Sequence, residues 1–121
     1  MGMVTFVDET TSGGAGGGWE LAIAEERLAL RELIRRRVFQ EVAEHHARGA
    51  AGEFHGLVRP TGRTPGRVDP EAQTELALRA FAASGFLVLV GDRQVTGLDE
   101  EIELPIGTEV TFLKLVPLVG G

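Results

Sequence analysis

Between residues 29 and 47, apolar side chains recur at Leu30, Leu33, Ile34, Val38 and Val42. That spacing lays one stripe along a helix and makes no sense on a strand. On both sides of this stretch the period drops to two. Met3 to Val7 and Trp19 to Ala24 read as strands before it, with Trp19, Leu21 and Ile23 on one face, and together they suggest an antiparallel hairpin. After it, Phe86 to Val90 and Arg93 to Thr96 flank a tight turn at Gly91-Asp92. Leu98 to Leu104 alternates from Glu100 onward, Pro105 to Thr108 is a turn, and Glu109 to Val116 is a last strand. That last strand is apolar on both sides, with Val110 and Phe112 on one and Thr111, Leu113 and Leu115 on the other, so it predicts a central position. The order is strand, strand, helix, insertion, strands, which is an α+β class.

The helix should stop near Gly49, and a loop rich in glycine and proline follows to Val68, with a short strand signal at Phe54 to Val58. Asp69-Pro70-Glu71 opens a second helix, with an N-cap aspartate and proline at the first helical position. Leu76, Ala80 and Phe81 are expected to line one face of it, and Ser84-Gly85 to close it. At 121 residues the chain is expected to form one domain, 1–121, carrying an insertion at about 49–85.

Composition removes several function classes. With no cysteine there are no disulfides, zinc–thiolate sites or cysteine nucleophile. A net charge of −6 argues against a phosphate-neutralising nucleic-acid binder, so no nucleic acid is expected as partner. The longest apolar run, Phe86 to Val90, falls far short of the roughly 20 residues of a membrane helix. No membrane partner and a cytoplasmic setting are the expectation. Six acids against one arginine between Asp92 and Glu109 read as a solubilising surface, or as one suited to a basic partner.

Other motifs carry little chemistry. The glycine-rich stretch at Gly13, Gly14 and Gly16 to Gly18 lacks the lysine and the following helix of a phosphate loop. Arg35-Arg36-Arg37 spreads around a helix rather than making a patch; Arg27, Arg31 and Arg35 could align as a stripe, more naturally a solvated one with ion pairs. His45 and His46 point about 100° apart and cannot easily share a metal, and with His55 they complete no ligand set. They read as cations at a helix C-terminus. No metal site, no catalytic constellation and no bound cofactor is expected, and the chain does not read as an enzyme.

Two stretches are more specific. Leu30-Arg-Glu-Leu-Ile34 resembles the opening of the helix in the ubiquitin-like sulfur carriers of molybdopterin and thiamin synthesis. Gly107-Thr-Glu-Val-Thr-Phe-Leu, followed by Pro117-Leu-Val-Gly-Gly121, resembles their ending, and Leu87 to Arg93 is similar to the hairpin before it. The likeness covers about residues 1–47 and 86–121. With 17 glycines in the chain, a pair at a given place is about a 2% event. The resemblance implies a β-grasp fold: a mixed sheet with one main helix packed on it. It implies a bacterial carrier whose Gly121 carboxylate, next to Gly120, is adenylated by an E1-like enzyme that uses ATP. The acyl-adenylate would become a thiocarboxylate for a sulfur-acceptor enzyme, or a thioester and then an amide on a conjugation target. Glycine leaves that carbonyl unhindered. Pro117 would stiffen the exit from the last strand, and Leu118 and Val119 would offer apolar area to the partner. Lys114, the sole lysine, is the only internal amine for self-conjugation. The competing readings are a β-grasp interaction domain that is never activated, and a small ligand-binding domain or enzyme using the insertion and the histidines.

Overall fold

The computed structural model describes residues 2–11, 18–48, 56–58 and 68–115. In chain order these form β1 (Gly2–Thr10), β2 (Trp19–Ile23), β3 (Arg27–Ala29), α1 (Leu30–Ala47), α2 (Pro70–Ala82), β4 (Phe86–Val90), β5 (Arg93–Val95), β6 (Glu101–Glu103) and β7 (Glu109–Lys114). Five strands make one mixed sheet in the order β2-β1-β7-β4-β5, and β3 pairs with β6 in a separate two-stranded ribbon. β1 and β7 lie parallel at the centre; every other pairing is antiparallel. The main helix packs on this sheet, which is a β-grasp-like layout.

The stripe on α1 explains the packing. Leu30, Leu33, Ile34, Val38 and Val42 are buried in one cluster with Val4 and Phe6 of β1, Val88 of β4, and Val110 and Phe112 of β7. Because side chains alternate along a strand, this fixes the other face as well. Thr5, Val7 and Glu9, Thr111 and Leu113, and Leu87 and Leu89 point away from α1.

Local turn chemistry matches the sequence. Gly91, at φ +60°, takes the first central position of the two-residue turn joining β4 to β5, and Gly107, at φ +88°, the third position of the Pro105–Thr108 turn. Both are backbone regions that favour glycine. Asp69 caps α2 by accepting from the Glu71 N–H at 3.2 Å. After Ala82 the chain closes through Ser84 in the left-handed region (φ 62°), with the Gly85 N–H on the Ala80 carbonyl at 2.7 Å.

Four details differ from the expectation. β1 continues through Asp8 to Thr10, because Phe112 to Lys114 lie alongside and supply ladder partners. β3 carries too few residues to show a period, and β6 creates it by pairing. Gly56–Val58 forms bends rather than a strand and joins no ladder among the described residues; Phe54 and His55 lie outside them. Finally, the fully buried residues of α2 are Gln73, Thr74 and Ala77, while Ala80 and Phe81 of the apolar face pack partly on the core and Leu76 is half-buried. The reason is a polar anchor, Gln73 Nε2 donating to the Val58 carbonyl at 2.7 Å. α2 also rests on α1, which contributes a second surface.

Candidate functional site

The site begins where the central strand leaves the sheet. β7 is hydrogen-bonded on both sides to its end, with Lys114 opposite Thr10 of β1 and Phe86 of β4. Two further bonds close the ladder: the Thr11 N–H donates to the Lys114 carbonyl at 3.2 Å, and the Leu115 N–H to the Gly85 carbonyl at 3.1 Å. Lys114 is partly exposed at this mouth. Pro117, Leu118, Val119, Gly120 and Gly121 lie outside the described residues, as do the glycine-rich loop at 12–17 and the insertion segments 49–55 and 59–67.

Beneath the mouth sits an ion cluster around a buried arginine. Asp8 stands opposite Phe112, two residues before Lys114. Arg37 of α1 is only 1% exposed. Its Nη1 and Nη2 donate to the two Asp8 carboxylate oxygens at 2.6 and 2.8 Å. Its Nε and Nη2 donate to Glu41 Oε2 at 3.3 and 3.2 Å. The guanidinium lies 4.4 Å from the Phe112 ring centroid and 5.5 Å from that of Trp19. The other Glu41 oxygen accepts the Leu57 N–H at 3.2 Å, tying the insertion to α1. So one cation joins β1, β7, α1 and, through Glu41, residue 57. The apolar pattern alone does not single out Arg37, but the helix period does: the buried stripe Leu30, Leu33, Ile34, Val38, Val42 also takes in positions 37 and 45.

The cluster has two carboxylates for one guanidinium. Burial pushes Glu41 above its ordinary 4.5; Arg37 and the Leu57 N–H pull the other way and lose. The folded state therefore holds a proton at Glu41 more tightly than the unfolded chain. Stability should fall as pH rises from about 4.5 through the raised value, and level off above it. Glu25 behaves oppositely. Its hydrogen bonds to Arg36 lower it to about 2, so its contribution is present above 4.5 and is lost as pH falls toward 2. Urea titrations at a series of pH values check both. Glu41→Gln should flatten the decline above 4.5 and Glu25→Gln should remove the acid limb; an unchanged slope in Glu41→Gln would contradict the assignment.

The remaining charged motifs are accounted for by pairing. Arg27 bridges Glu101 and Glu103 at 3.6 Å each, Arg31 meets Asp99 at 2.8 Å, and Arg35 meets Glu32 at 3.4 Å and covers the Phe39 ring. Arg36 binds Glu25 and Glu32. The stripe is thus a set of ion pairs, with Asp99, Glu101 and Glu103 of the acidic run as counterparts, and Arg93 takes Glu100 at 3.0 Å. The two histidines stand in the last turn of α1, as expected. His45 is buried, and His46 Nε2 accepts the Val68 N–H at 3.1 Å, which ties residue 68 to the helix. His55 lies outside the described residues. Among the described residues no group of three His, Asp or Glu side chains could hold a metal ion, and no helix is long and apolar enough to cross a membrane.

No protein-family profile matches the chain, and no curated protein or solved structure does.

Proposed function

We propose that the chain is a ubiquitin-like sulfur carrier or protein modifier whose working group is the Gly121 carboxylate. The observation that carries this reading is the place of β7. It is the central strand, parallel to β1, and its described ladder ends at Leu115, two residues before Pro117. A partner can therefore engage Pro117, Leu118, Val119, Gly120 and Gly121 without breaking any of those ladder bonds. In this reading an E1-like enzyme joins the carboxylate to AMP from ATP and releases pyrophosphate. Hydrosulfide then attacks the acyl carbon and AMP leaves with the bridging oxygen, giving a thiocarboxylate. Alternatively a thiol takes the acyl group as a thioester and an amine displaces it as an amide. The protein supplies the acyl group, and the adenylating chemistry belongs to its partner. Lys114 is the only side-chain amine through which one copy could receive another.

The test is ATP–pyrophosphate exchange with the E1-like enzyme of the same host. Deleting Gly121 should abolish exchange and leave the thermal midpoint unchanged, because the core is built from residues that precede it. Equal exchange by the two forms would overturn the proposal. Mass spectrometry of protein from the native host separates the branches. One terminal oxygen replaced by sulfur means a sulfur carrier, and a branched peptide at a foreign lysine means a modifier. An unmodified carboxylate throughout, with enzyme and ATP supplied, would favour an interaction domain that is never activated.

A further inference from the structure

The face of the sheet turned away from α1 carries an apolar centre and an acidic border. Val7 of β1, Thr111 and Leu113 of β7, and Leu87 and Leu89 of β4 are brought side by side by the register, Val7 opposite Thr111 and Leu113 opposite Leu87. The four aliphatic side chains are partly exposed. Around them stand Glu9, opposite Leu113, and Glu20 and Glu109, both opposite Thr5. All three glutamates are exposed. None is in an ion pair among the described residues, whereas nine carboxylates elsewhere are paired with arginines. No arginine or lysine falls on this face among the described strand positions. Arg93 and Lys114 alternate to the α1 side, and Arg93 is taken by Glu100.

We infer that this face docks a protein whose own contact surface has an apolar centre bordered by arginine or lysine side chains. Charge selects the occupant. A second copy placed face to face would set one border of glutamates against another, and like charges brought together disfavour that pairing. A basic border gains three complementary contacts and is drawn in faster at low salt. The apolar centre then supplies the affinity as water leaves it. The inference holds whether or not Gly121 is activated, because it uses none of residues 116–121.

The experiment places a photo-crosslinking amino acid at position 89 of the full chain, with a control at Glu75 on α2, and expresses both in the native host. The protein captured from position 89 is identified, its contact peptide is sequenced, and it is purified for binding to the uncrosslinked chain. The expected result has three parts. Crosslinking is specific to position 89, and the contact peptide carries arginine or lysine beside apolar residues. Affinity weakens with salt, and Glu9→Gln/Glu20→Gln/Glu109→Gln slows association about tenfold and removes most of the salt dependence. Leu89→Asp should abolish binding with an unchanged circular dichroism spectrum. Crosslinks no more frequent than at the control position would overturn the inference. So would a salt-independent complex, a triple variant that binds like the parent, or capture of a second copy with concentration-dependent dimers in sedimentation.

Discussion

Replacing Arg37 with alanine is expected to cost about 3–5 kcal/mol of unfolding free energy, the range for breaking a buried ion pair from one side. Two causes act together. Asp8 and Glu41 lose the cation they share and are left facing each other at low dielectric. The rings of Phe112 and Trp19 also lose the planar group that fills the space over them. Arg37→Lys should lie between alanine and the parent, because an ammonium keeps the charge but cannot donate to Asp8 and Glu41 in two forked pairs. The decisive comparison is a triple variant, Asp8→Val/Arg37→Met/Glu41→Leu. Removing all three charges should recover more than half of the loss, with about 1 kcal/mol still missing at the orphaned Leu57 N–H. Urea denaturation at neutral pH reads all four proteins. An alanine variant within about 1 kcal/mol of the parent would show that the cluster does not hold the fold as described.

Truncating Phe112 to alanine should cost a similar amount, about 3–5 kcal/mol, for a different reason. Phe112 is fully buried on the central strand, with ring centroids 5.6 Å from Phe6 and 6.1 Å from Phe86. It therefore touches both neighbouring strands as well as Arg37, and the cavity left behind cannot be closed by one side chain moving. Phe112→Leu, which keeps most of the volume, should lose less than about 1.5 kcal/mol. Since Phe112 and Arg37 are in contact, the double alanine variant should cost less than the sum of the two singles, by about 0.5–3 kcal/mol. Strict additivity would mean that the guanidinium–ring contact contributes nothing.

The helix and its stripe, the α2 cap, the two glycine turns and the two-sided last strand were all legible in the sequence, because each rests on a signal within a few residues. The start of α1 was legible to within one residue, but what holds it was not. Ala29 offers no side chain to cap it; instead the N–H groups of Leu30 and Arg31 are met by the carbonyls of Glu100 and Leu98, about 70 residues away in the chain. The extension of β1 past Val7 and the whole of β3 exist for the same reason, since their partners are supplied by β7 and β6. Gln73 was passed over for Leu76 because a hydrophobic pattern ranks an amide as exposed, and only the Val58 carbonyl makes its burial tolerable.

The candidate site divides along the same line. The glycine pair, the proline before it and the single lysine are facts of composition and order, so their chemistry could be argued from residues alone. The acidic border around Val7, Leu87, Leu89 and Leu113 could not, because it joins Glu9, Glu20 and Glu109 from three strands through register. Nor could Arg37 be separated from its neighbours: Arg35, Arg36 and Arg37 are identical in the sequence, and 100° of helix rotation per residue decides that two are solvated and one is enclosed. By itself the sequence determined which segments are helix or strand and where the chain turns, since those depend on local backbone preference and on the period of apolar side chains. Tertiary structure decided which charges meet, which carboxylates are left over and which faces are covered, since those depend on distances between residues that the chain order keeps far apart.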